Sequence, residues 1–179
     1  MGTPEFSIPA LKMLKQSNHK IVCVYTQPPK KKSRGQKILK TPVHIFSENE
    51  GFKVTTSKLI EKNEYEKFIK FKPNLVVVAA YGQIIPERYL KIPGLIFLNI
   101  HASLLPKWRG AAPIERVILS KENQTGVTIM KIEKKLDTGP FVKQIKVQIN
   151  KDTSSAELKD KLSIIGAEAL RESIELVIS

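Results

Sequence analysis

Residues 95–101 read Leu-Ile-Phe-Leu-Asn-Ile-His, an apolar run that ends on two polar side chains set two apart. A segment apolar at nearly every position has no wet face, so as a strand it needs cover on both sides, the situation of a parallel sheet between helices. Two earlier stretches have the same character: Lys20 to Thr26, closed by Gln27-Pro28-Pro29, and Leu75 to Ala80. Between them the periodicity changes. Pro9 suits a first helical turn, and Ala10, Leu11, Met13 and Leu14 supply the stripe of a short helix ending near Ser17 and Asn18. Ile60 to Phe71, with Ile60, Tyr65, Phe68 and Ile69, predicts an amphipathic helix stopped by Pro73. Strands alternating with helices predict an α/β protein whose mostly parallel sheet is flanked by helices.

Downstream the pattern differs. Gly126 to Ile132 and Phe141 to Ile149 alternate like strands with one wet face, and predict an antiparallel pair around the Lys134 to Gly139 turn. Ser154 followed by Glu157 is a capping box, and Leu158, Leu162, Ile165, Ala169, Leu170, Ile174 and Val177 keep helical spacing. A basic loop is expected from Pro28 to about Pro42.

The 179 residues suffice for one domain, and 41% hydrophobic with 26% charged residues excludes collagen-like, low-complexity and disordered classes. No apolar run reaches the roughly 20 residues of a membrane helix. The N-terminus lacks a basic segment followed by an apolar core and a cleavage site, so a cytoplasmic protein without a membrane partner is expected. The single cysteine, Cys23, lies inside an apolar run and is expected to be strand filler. Thirty Lys and Arg against 17 Asp and Glu leave a net charge of +13, a potential that favours polyanions. The excess is uneven, with six basic residues and no acid from Pro28 to His44. Such a run serves either as a solvated surface or, with the forked donor of Arg34, as a set of phosphate contacts.

In open α/β sheets, ligands gather at the carboxyl ends of strands. Asn99 and His101 flank Ile100 there, and residues two apart on a strand point to the same side. An amide can donate to a developing oxyanion and an imidazole can carry a proton. The same two side chains would equally serve a loop backbone, and residue types alone leave both readings open. The loop from Ala102 to Pro113 adds Leu104, Leu105 and Trp108, suited to clasping a ligand or to packing. Asp137 brings a carboxylate within Leu136-Asp137-Thr138-Gly139; its alternative is a plain surface turn with Gly139 at positive φ. An aspartic protease is excluded by Pro140 and by the lack of a second such site. His19 and His44 are expected to be structural. No Gly-x-Gly-x-x-Gly exists in the chain, so no dinucleotide fingerprint is present.

Four segments together resemble the methionyl-tRNA formyltransferase family, in order and spacing, over nearly the whole chain. They are Gly2 to Phe6, Ala79 to Pro86, Asn99 to Ile114, and Gly126 to Met130 through Leu136 to Gly139. The Asn-x-His and Asp-x-Gly core is shared with glycinamide ribonucleotide and sugar-nucleotide formyltransferases. Trp-Arg-Gly-Ala-Ala-Pro-Ile and Gly-Thr-Pro-Glu-Phe narrow the resemblance to the tRNA family. It implies a Rossmann-like fold, with residues 1–179 as the catalytic domain. It also implies transfer of a formyl group from 10-formyltetrahydrofolate to the α-amino group of initiator methionyl-tRNA, in translation initiation.

By the same resemblance, Asn99 donates to the oxyanion and His101 is proton carrier or second donor. Asp137 orients His101 and assists transfer to the departing folate nitrogen. The folate would lie along Tyr81, Gly82, Gln83 and Ile84 and along Ser103, Leu104, Leu105 and Pro106. Lys31, Lys32, Arg34 and Lys37 would reach toward the tRNA acceptor end. Neither a metal nor a nucleotide cofactor is implied, and a monomer is expected. The family also has an apolar strand before the Gly-Thr-Pro turn and a C-terminal tRNA-binding β-barrel domain, both expected to be absent here. The alternatives are a sugar-nucleotide formyltransferase and a catalytically silent, basic RNA-binding module on the same scaffold.

Overall fold

The computed structural model describes residues 1–32 and 37–178, apart from the side chains of Lys31, Lys32 and Lys37. A 3-10 turn at Glu5–Ser7 leads into α1 (Ile8–Gln16), followed by β1 (Val24–Tyr25), β2 (Lys30–Lys32), β3 (Lys37–Leu39) and α2 (Pro42–Asn49). Next come β4 (Val54–Thr55), α3 (Glu64–Lys70), β5 (Leu75–Ala79), α4 (Glu87–Leu90) and β6 (Ile96–His101). The chain continues through α5 (Pro113–Leu119), β7 (Gln124–Lys131), β8 (Phe141–Gln148) and α6 (Ser155–Ile178).

The central sheet has the order β5-β6-β7-β8. β5 and β6 run parallel from Leu75↔Ile96 to Ala79↔Ile100. β6 and β7 run antiparallel, with Asn99 opposite Met130 and His101 opposite Thr128, and β7 and β8 are antiparallel in turn. The expected antiparallel pair is present, and the change of direction begins one strand earlier, at β6. β7 differs from the half-wet strand its sequence predicts, being buried at every position from Thr125 to Met130. One face lies under α6, where Gly166 leaves a Cβ position only 2.8 Å from Ile100. On its other side the Leu104 side chain comes against Gly126. Cover on both faces removes the need for alternation in burial.

α6 follows its sequence signals closely. Ser154 N–H donates to the Glu157 carboxylate at 2.8 Å and Glu157 N–H donates back to Ser154 Oγ at 3.2 Å, satisfying two end donors of the helix. Leu158, Leu162, Leu170 and Ile174 are buried against Leu98, Ile100 and Val127 in the main core. Among the described residues no helix is long and apolar enough to cross a membrane.

Three further expectations change. The run from Lys20 to Thr26 forms ladder only at Val24–Tyr25, parallel to Val54–Thr55. Residues 20–23 border a largely apolar cavity of about 150 Å³ whose other side is β5, and among the described residues they have no strand to pair with there. Met1 and Gly2 bridge one end of that gap: Gly2 N–H donates to Tyr25 O at 3.0 Å and Ala79 N–H to Met1 O at 3.0 Å. The predicted helix from Ile60 begins only at Glu64; Ile60 is 78% exposed, and a turn in which Glu61 bonds back to Lys58 precedes it. The basic stretch expected as loop contains an antiparallel hairpin, Lys30↔Leu39 to Lys32↔Lys37. Lysine-rich strands carry no apolar alternation, so their pairing left no pattern to read.

Candidate active site

β6 ends on Asn99 and His101 where the chain after β5 and the chain after β6 diverge, and the opening between them is a cavity of about 720 Å³. That size lies within the range of small-molecule sites. Residues 80–85 form one wall and residues 110–115 another, with Met130, Ile132 and the turn through Asp137 closing it. Asn99, His101, Asp137, Tyr81, Gly82, Gln83 and Ile84 all line it.

The wall at residues 81–82 is pinned by two side chains from the N-terminal part. Thr3 Oγ1 donates to Tyr81 O at 2.8 Å, and Gln27 Nε2 donates to Tyr81 O and Gly82 O at 3.2 and 3.0 Å. Gly82 has φ of +76°, a backbone conformation that favours glycine, and a Cβ there would displace the Gln27 amide that pins this wall. Tyr81 is buried in a cluster with Tyr25, Phe68, Val78 and Tyr89, and burial pushes its phenol pKa up. It therefore stays neutral, and its contribution to the wall is chiefly backbone.

His101 is 6% exposed and its Nε2 lies 3.0 Å from Trp108 O. A carbonyl only accepts, so Nε2 carries the proton and donates, which leaves Nδ1 facing Asp137. The distance from Nδ1 to Asp137 Oδ2 is 3.7 Å, too long for a hydrogen bond and close enough for attraction once the ring is cationic. The firm contact of Asp137 is with backbone: Gly110 N–H donates to Oδ2 at 2.8 Å. Asp137 itself has φ of +50° and its side chain is 9% exposed. This departs from the surface-turn alternative, in which Gly139 takes the positive φ. Gly139 instead permits close approach, since a Cβ there would strike Lys131 O.

The segment Ser103, Leu104, Leu105 and Pro106 does not line this cavity. Thr128 Oγ1 holds it from β7 by donating to Ser103 O at 2.7 Å and accepting from Leu105 N–H at 3.1 Å. Gln144 Nε2 on β8 donates to Leu105 O at 2.9 Å. Arg34 and the side chains of Lys31, Lys32 and Lys37 lie outside the described residues. The partners that sequence reasoning missed, Trp108 O, Gly110 N–H, Thr128, Thr3 and Gln27, act mostly through or upon backbone. Among them only Gly110, at φ +88°, carried a residue-type signal.

Asn99 makes no side-chain hydrogen bond among the described residues, so its amide hydrogens remain available to a ligand. The site thus holds a free amide donor, an imidazole with one committed and one open nitrogen, and a carboxylate beside it, the equipment for addition to a carbonyl with proton transfer. Among the described residues no group of three or more His, Cys, Asp and Glu converges as metal ligands would.

Residues 1–174 match the family described as Formyl transferase. The chain is 50% identical over 178 residues to a methionyl-tRNA formyltransferase of Pelagibacter ubique, covering 98% of this chain and 57% of that protein. It is 46% identical over 171 residues to one from Wolbachia sp. subsp. Drosophila simulans, covering 95% and 57%. The chain therefore spans somewhat over half the length of these relatives. In fold it resembles a phosphoribosylglycinamide formyltransferase from Streptococcus pneumoniae, with TM-score 0.78 at 20% identity, covering 99% of this chain and 96% of that one.

Proposed function

The chain belongs to the formyl transferase family, and on that premise we propose that its cavity takes 10-formyltetrahydrofolate and delivers the formyl group to the α-amino group of methionyl-tRNA. Residues 1–179 then act as a catalytic domain, cytoplasmic and monomeric, in translation initiation. The observation that carries the reading is the convergence of Asn99, His101 and Asp137 on one cavity. Two methionyl-tRNA formyltransferases at 50% and 46% identity support methionyl-tRNA as the acceptor.

The amine lone pair adds to the formyl carbon, and the carbonyl oxygen becomes an oxyanion that Asn99 stabilises by donation. The proton shed by the attacking nitrogen passes to His101 Nδ1, where Asp137 faces the resulting cation. Return of that proton to the folate nitrogen accompanies cleavage of its bond to the formyl carbon. Residues 81–84 offer backbone groups to the flat ring system of the donor, while Ser103 to Pro106 serve as the support behind His101. The cavity fits a donor of this class in size, and its mix of Val78, Ile85, Met130 and Ile132 with backbone groups suits a ring with polar edges.

The test is incubation of the chain with 10-formyltetrahydrofolate and charged initiator tRNA, beside Asn99→Ala and Asp137→Asn. Each variant is expected to lose about 10²-fold in kcat, the size typical of one oxyanion donor or positioned acid–base group. Rates within threefold of the parent would exclude these roles, and formylation of an amino-sugar nucleotide in place of tRNA would reassign the acceptor. Neutralising Lys31, Lys32, Arg34 and Lys37 should flatten the dependence of log K for tRNA on log salt by about 2 to 3. Equal flattening by neutralising Lys146, Lys151, Lys161 and Arg171 would reduce the hairpin to bulk charge.

A further inference from the structure

We propose that Arg116 is a positioning residue for the His101–Asp137 pair, acting through a single peptide plane between Arg109 and Gly110; the inference rests on the formyl-transfer reading above. Arg116 lies on α5, outside the reacting cavity. Its Nη1 donates to Arg109 O at 2.9 Å, and its guanidinium stands 4.9 Å from the centre of the Trp108 ring. Arg109 C=O and Gly110 N–H belong to the same peptide unit, whose two dipolar ends point in opposite directions. One end accepts from the Arg116 cation and the other donates to the Asp137 carboxylate at 2.8 Å. The preceding carbonyl, Trp108 O, takes the proton of His101 Nε2 at 3.0 Å. Two adjacent peptide units thus set both members of the pair, and Arg116 grips one of them by hydrogen bond and the neighbouring ring by cation–π contact.

The backbone here does not hold this conformation unaided. Trp108, Gly110 and Ala112 have φ of +61°, +88° and +54°, and side-chain-bearing residues in that region persist only where surrounding contacts over-determine them. Rotation of the 109–110 peptide plane would turn the Gly110 N–H away from Asp137 and free the carboxylate to swing. Arg116 opposes that rotation from the carbonyl side, and its charge polarises the amide toward a stronger donor. Without it, Asp137 stays near His101 but at a less defined distance, and transfers that need sub-ångström placement suffer most.

The test uses Arg116→Met, which keeps a stem against Trp108 and removes the donors, and Arg116→Lys, which restores a cationic donor. Without any substrate, Arg116→Met should accelerate exchange of the Gly110 amide by about tenfold or more and move its proton resonance upfield, and Arg116→Lys should recover much of both. In turnover, Arg116→Met should lower kcat by about tenfold or more with the KM for the formyl donor within threefold. Placed in an Asp137→Asn chain, the same change should cost less than threefold more, because both substitutions break one relay. An unchanged Gly110 amide, a loss confined to KM, or full additivity with Asp137→Asn would overturn the proposal. If Arg116→Met does not fold, the Gly110 amide and kcat in Arg116→Lys decide, since a single donor on a shorter reach should give a partial loss of both. A Gly110 response in a parent chain that transfers no formyl group supports the relay and sinks the formyl-transfer reading instead.

Discussion

Residues 95–101 and residues 20–26 are alike as sequence, yet β6 lies between two hydrogen-bonded neighbours and the earlier run has ladder at only Val24–Tyr25. β6 is packed under α6 through Ile100 and Gly166. Residues 20–23 instead border a cavity of about 150 Å³. The difference teaches that an apolar run supplies only the capacity to be a strand. Partners on both edges convert it into rigid backbone, and the two candidate catalytic side chains on a strand hang from the run that has them. A site that must hold an oxyanion donor and a proton carrier in register gains from such support.

The largest expected effect that separates the two regions is in packing. Leu162→Ala, at a fully buried position facing the β6 side of the core, should destabilise the chain by about 3 to 4 kcal/mol. Ile21→Ala, half-buried beside an existing cavity, should cost about 1 kcal/mol. Urea unfolding of both variants measures the difference, and equal losses would break the comparison. Thr128→Val comes next, at about 2 to 3 kcal/mol, because it strands the Leu105 N–H and removes the donor to Ser103 O behind His101. A Thr128→Val midpoint within a degree of the parent would show that this support is dispensable.

A smaller effect is expected in native-state hydrogen exchange, where amides of residues 97–100 should exchange at least about tenfold more slowly than those of residues 21–23. The smallest concerns the rim. Lys91 first, and Lys134 with it, hold the exposed Glu87 carboxyl down to about 2, and Lys134 reaches it from the β7–β8 turn at 2.9 Å. A carboxylate depressed on folding contributes stability above its unfolded value near 4.5, and loses it as pH falls toward 2. Carbon-detected titration of Glu87 should move back toward 4.5 in Lys91→Ala and partly so in Lys134→Ala. A midpoint unmoved by Lys134→Ala would mean that α4 and the Asp137 turn are not tied across the cavity mouth.

Local periodicity and end signals were readable directly from residue order. The apolar runs at 75–80 and 95–101, the strand pair at 126–149 and the Ser154–Glu157 cap each depend on neighbours a few residues away, and each is where the residue pattern puts it. The shared direction of Asn99 and His101 was equally legible, because strand geometry alone sends alternate side chains to one side. Pairings across long separations were not legible. The lysine hairpin, the short extent of β1 and the late start of α3 turned on which backbone groups found partners. So did the placement of Ser103 to Pro106 against Thr128, and the tie between Gly110 and Asp137 across 27 positions. A backbone N–H or C=O is the same group whatever side chain it carries, so residue identity does not announce which distant partner it will meet. Only the folded chain, in which every buried backbone group must be satisfied at once, makes that choice.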